Sequence, residues 1–137
     1  MLAVDQINWT LGVEKAFGKR DLNNFKEHMN QDINRIVKMV RGQLLPMLRV
    51  TLKALVVLQV HGRTVVQDMI DQKVTDMSDF KWSSQLRYYW EDKDMLRVKM
   101  VTAVIDYGFE YLGNSPRLVI TPLTDRCYRT LMGAKNL

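Results

Sequence analysis

The spacing of apolar residues changes near residue 74, and this change most restricts the folds open to the 137-residue chain. From Asp21 to Val40, apolar residues recur every three or four positions, which places them on one face of a helix. From Leu96 onward they alternate with other residues, as in a strand with one buried face. The two patterns together predict an α+β fold, with an antiparallel helical bundle followed by a β-hairpin.

Three helices are predicted before residue 74. One spans Asp21–Val40, with its first residue as N-cap and Gly42 as a left-handed residue after its last turn. A longer helix, Pro46–Ile70, begins with a proline in its first turn, and the short link before it makes the two helices antiparallel neighbours. A shorter helix, Leu2–Phe17, ends at Gly18. Its predicted inward residues are Trp9, Val13, Ala16 and Phe17.

The remaining elements begin with the hairpin. An aromatic strand over residues 86–91, a polar turn and an alternating strand over residues 96–109 form its two arms. A turn at residues 113–116 then leads to a short strand at residues 118–120. Thr121 is the predicted N-cap, and Pro122 the first residue, of a final helix. Its predicted inward residues are Leu123, Cys127, Leu131 and Met132.

Few residues suggest chemistry of their own. His28 and His61 lie far apart, and the single cysteine, Cys127, is distant from both, so no metal-ligand spacing occurs. Cys127 is expected to be a buried, unreactive thiol that forms no internal disulfide, which is typical of a reducing compartment.

One glycine pair has the spacing of a phosphate-binding loop. Gly108 and Gly113 are five residues apart, but Asn114 stands where such a loop has lysine, and Glu110 is negative. The sequence therefore predicts no self-contained catalytic residues.

The chain carries a net charge of +5 and has a pI of about 9.4, which would suit an acidic partner. Its basic residues are spread along the sequence, so we expect no nucleic-acid partner and, with only short apolar runs, no membrane partner. Nucleic-acid binding stays a weaker hypothesis that requires a steep salt dependence.

A long stretch of sequence resembles a known family. Trp82–Trp90 (WSSQLRYYW) and Tyr107–Ala134, with RLVITPLTDRCYRTL inside it, resemble the entry to the first AAA+ module of axonemal dynein heavy chains, nearest the inner-arm type. Residues 22–74, with VHGRTVVQDMI, are similar to the last helices of the dynein linker.

The resemblance implies an organisation and a role. Residues 1–74 would be the end of the linker, residues 75–106 a linker-to-ring connection, and residues 107–137 the start of the first AAA+ module, truncated before its Walker A loop. The chain would couple the ATP state of that module to linker movement in a minus-end-directed microtubule motor of the ciliary axoneme. Lacking Walker A and Walker B, it should be inactive alone.

The resemblance also implies ligands and partners. ATP or ADP with Mg²⁺ would bind the intact protein, and no cofactor the fragment alone. The expected partners are the rest of the dynein ring and linker, intermediate and light chains, and microtubules, in the cytoplasm and the cytoskeleton of the cilium. The residues expected to border the adenine are Leu118, Val119, Ile120, Thr121, Pro122 and Leu123. The alternative function is a small helical protein-interaction module, which binds through the apolar face of residues 21–70.

Overall fold

A computed structural model describes residues 1–91, 94–111, 113 and 115–136. The fold has five helices and one three-stranded antiparallel sheet among these residues, so the α+β prediction is confirmed. The elements in chain order are α1 (Leu2–Lys19), α2 (Leu22–Arg41), α3 (Pro46–Asp71), α4 (Phe80–Ser83), β1 (Arg87–Glu91), β2 (Met95–Met100), β3 (Ala103–Asp106) and α5 (Pro122–Lys135). Asp92 and Lys93, at the centre of the predicted polar turn, lie outside the described residues. So does Asn114, which follows the second glycine of the pair Gly108 and Gly113.

The hydrophobic core forms where α1, α2 and α3 meet around a tryptophan of α4. The predicted inward face of α1 is confirmed, because all four of its residues are buried. Trp82 is fully buried, and its ring centroid lies 5.4 Å from that of Trp9 and 6.1 Å from that of Phe17. Since large aromatic side chains bury the most apolar area, these three rings form the centre of the core.

The predicted cap of α2 and its end before Gly42 are confirmed, but Gly42 is not left-handed, and the predicted end of α1 at Gly18 is wrong. Asp21 accepts a hydrogen bond from the backbone N–H of Asn24 at 3.3 Å. Gly18 lies inside α1, and Gly42 has extended backbone (φ −78°, ψ −172°). The left-handed residues after α1 and α3 are Arg20 (φ 53°) and Lys73 (φ 54°). In both, the amide of the next residue bonds a carbonyl five residues back, which stabilises the helix end without glycine.

The antiparallel pairing of α2 and α3 is confirmed by contacts at both ends. Lys26 near the start of α2 donates to the side-chain carbonyl of Gln67 near the end of α3 at 2.9 Å. At the other end, Arg49 donates to the backbone carbonyls of Val40 and Gly42, the latter at 2.9 Å. The guanidinium thus satisfies carbonyls at the C-terminus of α2, which have no partner inside the helix.

The long predicted strand at residues 96–109 is two strands joined by a tight turn. The sheet order is β1-β2-β3, with Tyr89 opposite Arg97 and Val98 opposite Ile105. Val101 has a left-handed φ of 54°, and its N–H donates to the carbonyl of Ser83 at 2.7 Å. The predicted alternation of buried residues holds through β2. It fails in β3, because the turn at residues 101–102 changes which residues point to the buried face of the sheet.

Two side-chain contacts attach α1 to the sheet. The fully buried hydroxyl of Thr10 accepts from the N–H of Tyr88 at 3.0 Å and donates to the carbonyl of Gln6 at 2.9 Å. The Tyr89 hydroxyl donates to the carboxylate of Glu14 at 2.7 Å. Burial first, and then this hydrogen bond, raise the pKa of Tyr89 to about 12.

Candidate nucleotide-contact site

The segment expected to border an adenine, residues 118–123, connects the sheet region to α5. The strand predicted at Leu118–Ile120 is wrong, because these residues form no regular structure. A strand needs a neighbour for its backbone groups, and no described strand pairs with this segment. Leu118, Val119 and Leu123 are 82%, 70% and 71% exposed, whereas Ile120 is half-buried. The segment therefore has an open apolar outer side and an inner side anchored by one residue.

The end of the segment is fixed by the cap of α5. Thr121 accepts from the N–H of Thr124 at 3.3 Å, and the Thr124 hydroxyl accepts from the N–H of Thr121 at 2.8 Å. Pro122 occupies the first turn, where its missing N–H costs nothing. The predicted cap and helix start are confirmed. This reciprocal arrangement holds the chain direction where it enters α5.

The inner side of the segment faces a small cavity of about 130 Å³ between α5 and the helical body. Ile120 lines it from the segment, and Asp125 and Tyr128 line it from α5. On the opposite wall are Leu2, Gln6 and Trp9 of α1 with Leu58, His61 and Gly62 of α3. The volume is below the roughly 300–1,000 Å³ of pockets that enclose drug-sized ligands. We interpret this cavity as a packing seam between α5 and the helices.

His61 lines this seam and also a more open cleft beside it, together with Thr121 and Pro122. Burial lowers the pKa of His61, and the nearby carboxylate of Asp125 opposes that shift. The imidazole and the Asp125 carboxylate both line the seam, so α3 and α5 interact electrostatically across it. The sequence analysis missed this proximity, since it considered His61 only as a possible metal ligand.

The predicted inward face of α5 is wrong for three of its four residues. Leu123, Cys127 and Leu131 are exposed, and only Met132 is half-buried. The exposed Cys127 corrects the expectation of a buried thiol. The residues that face the body and the sheet are Asp125, Tyr128 and Met132. Their spacing of three and four is also a helical stripe, but it contains a carboxylate and is less apolar than the predicted stripe beside it.

The outer side of the segment exposes apolar side chains and backbone amides that are free within the described part of the chain. Its leucine and valine side chains are exposed, and the amides of Leu118, Val119 and Ile120 donate to no acceptor among the described residues. A base edge can use such free backbone groups while its faces contact apolar side chains. The described residues contain no group of three metal-ligating side chains. Within the same residues, no helix combines the length and hydropathy needed to cross a bilayer.

Comparisons with known proteins show which proteins this chain resembles. The family model that describes the hydrolytic ATP-binding site of the dynein motor region matches residues 107–137, which include the segment and α5. This part of the chain is thus similar to the dynein motor region. Over all 137 residues the chain is 52% identical to dynein axonemal heavy chain 3 of Homo sapiens. It is also 50% identical over 136 residues to dynein axonemal heavy chain 12 of Rattus norvegicus, and 47% identical over 133 residues to dynein axonemal heavy chain 1 of the same species.

These matches confirm the resemblance to axonemal dynein heavy chains along the length of the chain. They cover 100%, 98% and 96% of the chain, respectively. The chain spans only 3%, 4% and 3% of those relatives, so it corresponds to a small part of a much longer polypeptide.

Proposed function

We propose that the chain is a segment of an inner-arm axonemal dynein heavy chain that couples the ATP state of the first AAA+ module to movement of the linker. In this proposal residues 1–74 are the end of the linker, residues 75–106 connect it to the ring, and residues 107–137 begin the module. The match of the motor-region model to residues 107–137 supports the last assignment.

One observation carries the proposal: the segment 118–123 has a different neighbour on each side. Its outer side, with Leu118 and Val119, is open to a ligand, while Ile120 on the inner side faces α1 and α3 across the seam. A base bound outside would order the segment, and any shift of Ile120 would be passed to helices that belong to the linker. The coupling therefore needs no contact between nucleotide and linker.

ATP or ADP with Mg²⁺ is the proposed ligand of the intact motor, in which hydrolysis of the terminal phosphate supplies the free energy for movement. The residues present fit only the base, through the apolar side chains and free amides of the segment. Because the 137 residues contain no G-x-x-x-x-G-K-[ST] sequence, we propose that they hold the adenine without splitting the phosphate bond.

The proposal is tested by titrating the 137-residue chain with ADP and recording amide and methyl NMR shifts. We expect weak binding, with a Kd of about 1 mM, because only the base is held. Shifts at Leu118 and Ile120 should be accompanied by smaller shifts at Trp9 and His61 across the seam.

A matched pair of variants makes the test specific. Replacing Leu118 and Leu123 by serine should weaken ADP binding at least fivefold. Leu11→Ser, a change at a 42% exposed position of α1, should leave it unchanged. ADP binding that is as tight after the Leu118 and Leu123 replacements as before would refute the adenine assignment. Shifts confined to the segment would refute the coupling alone.

The remaining assignments follow from the same proposal. The partners would be the rest of the ring and linker, intermediate and light chains and, through the whole motor, microtubules. The location would be the cytoskeleton of the ciliary axoneme. Identity to heavy chains named axonemal supports this location.

The alternative, an interaction module that uses the apolar face of residues 21–70, is less favoured by the structure. That face supplies Met29 and Ile33 of α2 with Leu52, Leu55 and Val66 of α3, all of which are buried within the fold. A face already used for packing is not free for a partner. Dye binding to exposed apolar surface should therefore fall, not rise, as the chain folds.

A further inference from the structure

The turn that joins α2 to α3 has an unusual charge distribution. Between Asp32 and Asp68 the sequence contains no acidic residue but six Lys or Arg residues: Arg35, Lys38, Arg41, Arg49, Lys53 and Arg63. Since the whole chain has a net charge of +5, this stretch accounts for the entire excess, and the rest is close to neutral. Residues 38–53, here called the hairpin tip, carry four of these basic side chains.

The hairpin tip also exposes large apolar side chains. Leu45 and Met47 are 76% and 66% exposed, and Met39 and Leu48 are 48% and 41% exposed. Lys38, Arg41 and Lys53, which are exposed as well, lie on the same turn and adjoining helix ends. An apolar centre with a basic rim is the pattern of a surface that binds a partner.

The tip is held in shape before any partner binds. Arg49 bonds the carbonyls of Val40 and Gly42, which fixes the end of α2 against the start of α3. A surface ordered in advance loses less conformational entropy on association. Two methionines at the centre add adaptable contacts, which suit the apolar face of a helix.

From these observations we propose that the hairpin tip binds an acidic amphipathic helix of another polypeptide segment. Leucine-like side chains of that helix would contact the four apolar residues, and its carboxylates would face Lys38, Arg41 and Lys53. Charge complementarity identifies the partner as acidic. This proposal is independent of the nucleotide contact at residues 118–123.

The composition around the tip favours a protein partner over nucleic acid or lipid. No Phe, Tyr or Trp occurs between Phe25 and Phe80. Single-stranded nucleic acid is usually bound by stacking of its bases on aromatic rings, and interfacial membrane binding usually uses aromatic anchors. Neither kind of contact is available at the tip.

The test uses the 137-residue chain and a synthetic helix of about 18 residues, with leucines at helical spacing and glutamates elsewhere. Binding is measured by fluorescence anisotropy of the labelled peptide. We expect saturable binding that weakens at least fivefold between about 50 and 300 mM salt, because exposed charges are screened. A peptide with lysine in place of glutamate, and one with serine in place of leucine, should not bind.

Variants of the chain locate the site. Leu45→Ser with Met47→Ser should weaken peptide binding at least tenfold, as should Lys38→Glu with Lys53→Glu. All four positions are exposed or at the rim, so circular dichroism should show unchanged helix content. The control, Leu11→Ser with Lys15→Glu, makes the same kinds of change on α1 and should alter binding less than twofold.

Several results would overturn the proposal. These are no binding at about 0.5 mM peptide, equal binding of the lysine peptide, or indifference to the tip variants. Tighter, tip-dependent binding to vesicles of phosphatidylserine and phosphatidylcholine, or to double-stranded DNA, would assign the surface to lipid or nucleic acid instead. Self-association in sedimentation that the tip variants abolish would make a second copy the partner.

Discussion

Gly62→Ala is expected to destabilise the chain although it places a better helix former inside α3. A Cβ atom at Gly62 would lie 2.6 Å from Nε1 of Trp9 and 3.1 Å from its Cδ1 and Cε2 atoms. Alanine gains about 1 kcal/mol over glycine in a helix interior. Overpacking a filled core costs about 1–3 kcal/mol. Trp9 is buried against Trp82 and has little room to move, so we expect a cost in the upper part of that range, about 2–3 kcal/mol, and a net loss of about 1–2 kcal/mol.

The matched control is Gly18→Ala in α1, where a Cβ atom would meet nothing within 4 Å. This change should stabilise the chain by about 0.5–1 kcal/mol, so the two glycines respond with opposite signs. Urea unfolding followed by circular dichroism measures both free energies of unfolding. The slope against urea should be the same in each variant, because the unfolded state is similar.

A double-mutant cycle isolates the contact itself. All three crowded atoms belong to the indole ring of Trp9, which Trp9→Ala removes. Gly62→Ala should therefore cost at least about 1 kcal/mol less in the Trp9→Ala background than in the original chain. If Gly62→Ala costs the same in both backgrounds, or if it stabilises the chain, the close approach to Trp9 is not the reason that position 62 requires glycine.

Three further outcomes are expected. At Arg20 and at Lys73, the glycine variant should have a free energy of unfolding about 0.5–1 kcal/mol higher than the alanine variant, since both backbones are left-handed. Urea titrations measure this difference. Because the pKa of His61 is lowered from 6.5 on folding, the unfolded state binds its proton more tightly; the chain should lose stability relative to His61→Gln as the pH falls below 6.5, measured by urea unfolding at several pH values. Burial of the Tyr89 phenol, and then its hydrogen bond to Glu14, favour the neutral phenol in the folded chain, so this stability should be complete below pH 10 and lost as the pH rises toward 12; Glu14→Gln should lower the phenol pKa in ultraviolet titrations.

Four of the five described helices and their order could be predicted from sequence, because their signals are local; the short α4 was not predicted. The proline and threonine at the start of α5, and the apolar period of α2, act within a few residues of themselves. The ends of α1 and α3 were harder to predict. Arg20 and Lys73 take a conformation that glycine takes more easily, since tertiary packing compensates for the cost.

The candidate site was predictable only in part. The resemblance pointed to residues 118–123, but the side of α5 that packs depends on distant residues of α1 and α3. The acid-free stretch around the hairpin tip was present in the sequence and was masked by the even spacing of basic residues over the whole chain. The turn at Val101 carries no glycine, asparagine or proline, so nothing local indicated that the strand would end there.

The two outer strands of the sheet have a further consequence for solubility. At the outer edge of β1, the Thr10 hydroxyl accepts a hydrogen bond from the N–H of Tyr88. At the outer edge of β3, the Asn136 side chain accepts from the N–H of Val104 at 3.4 Å. Unpaired border strands tend to recruit strands from neighbouring molecules. A three-stranded ribbon this small could otherwise extend into fibrils, and helical side chains stop that growth at both margins. Loosening of α5 would therefore first expose β3 to aggregation, well before the helical core unfolds.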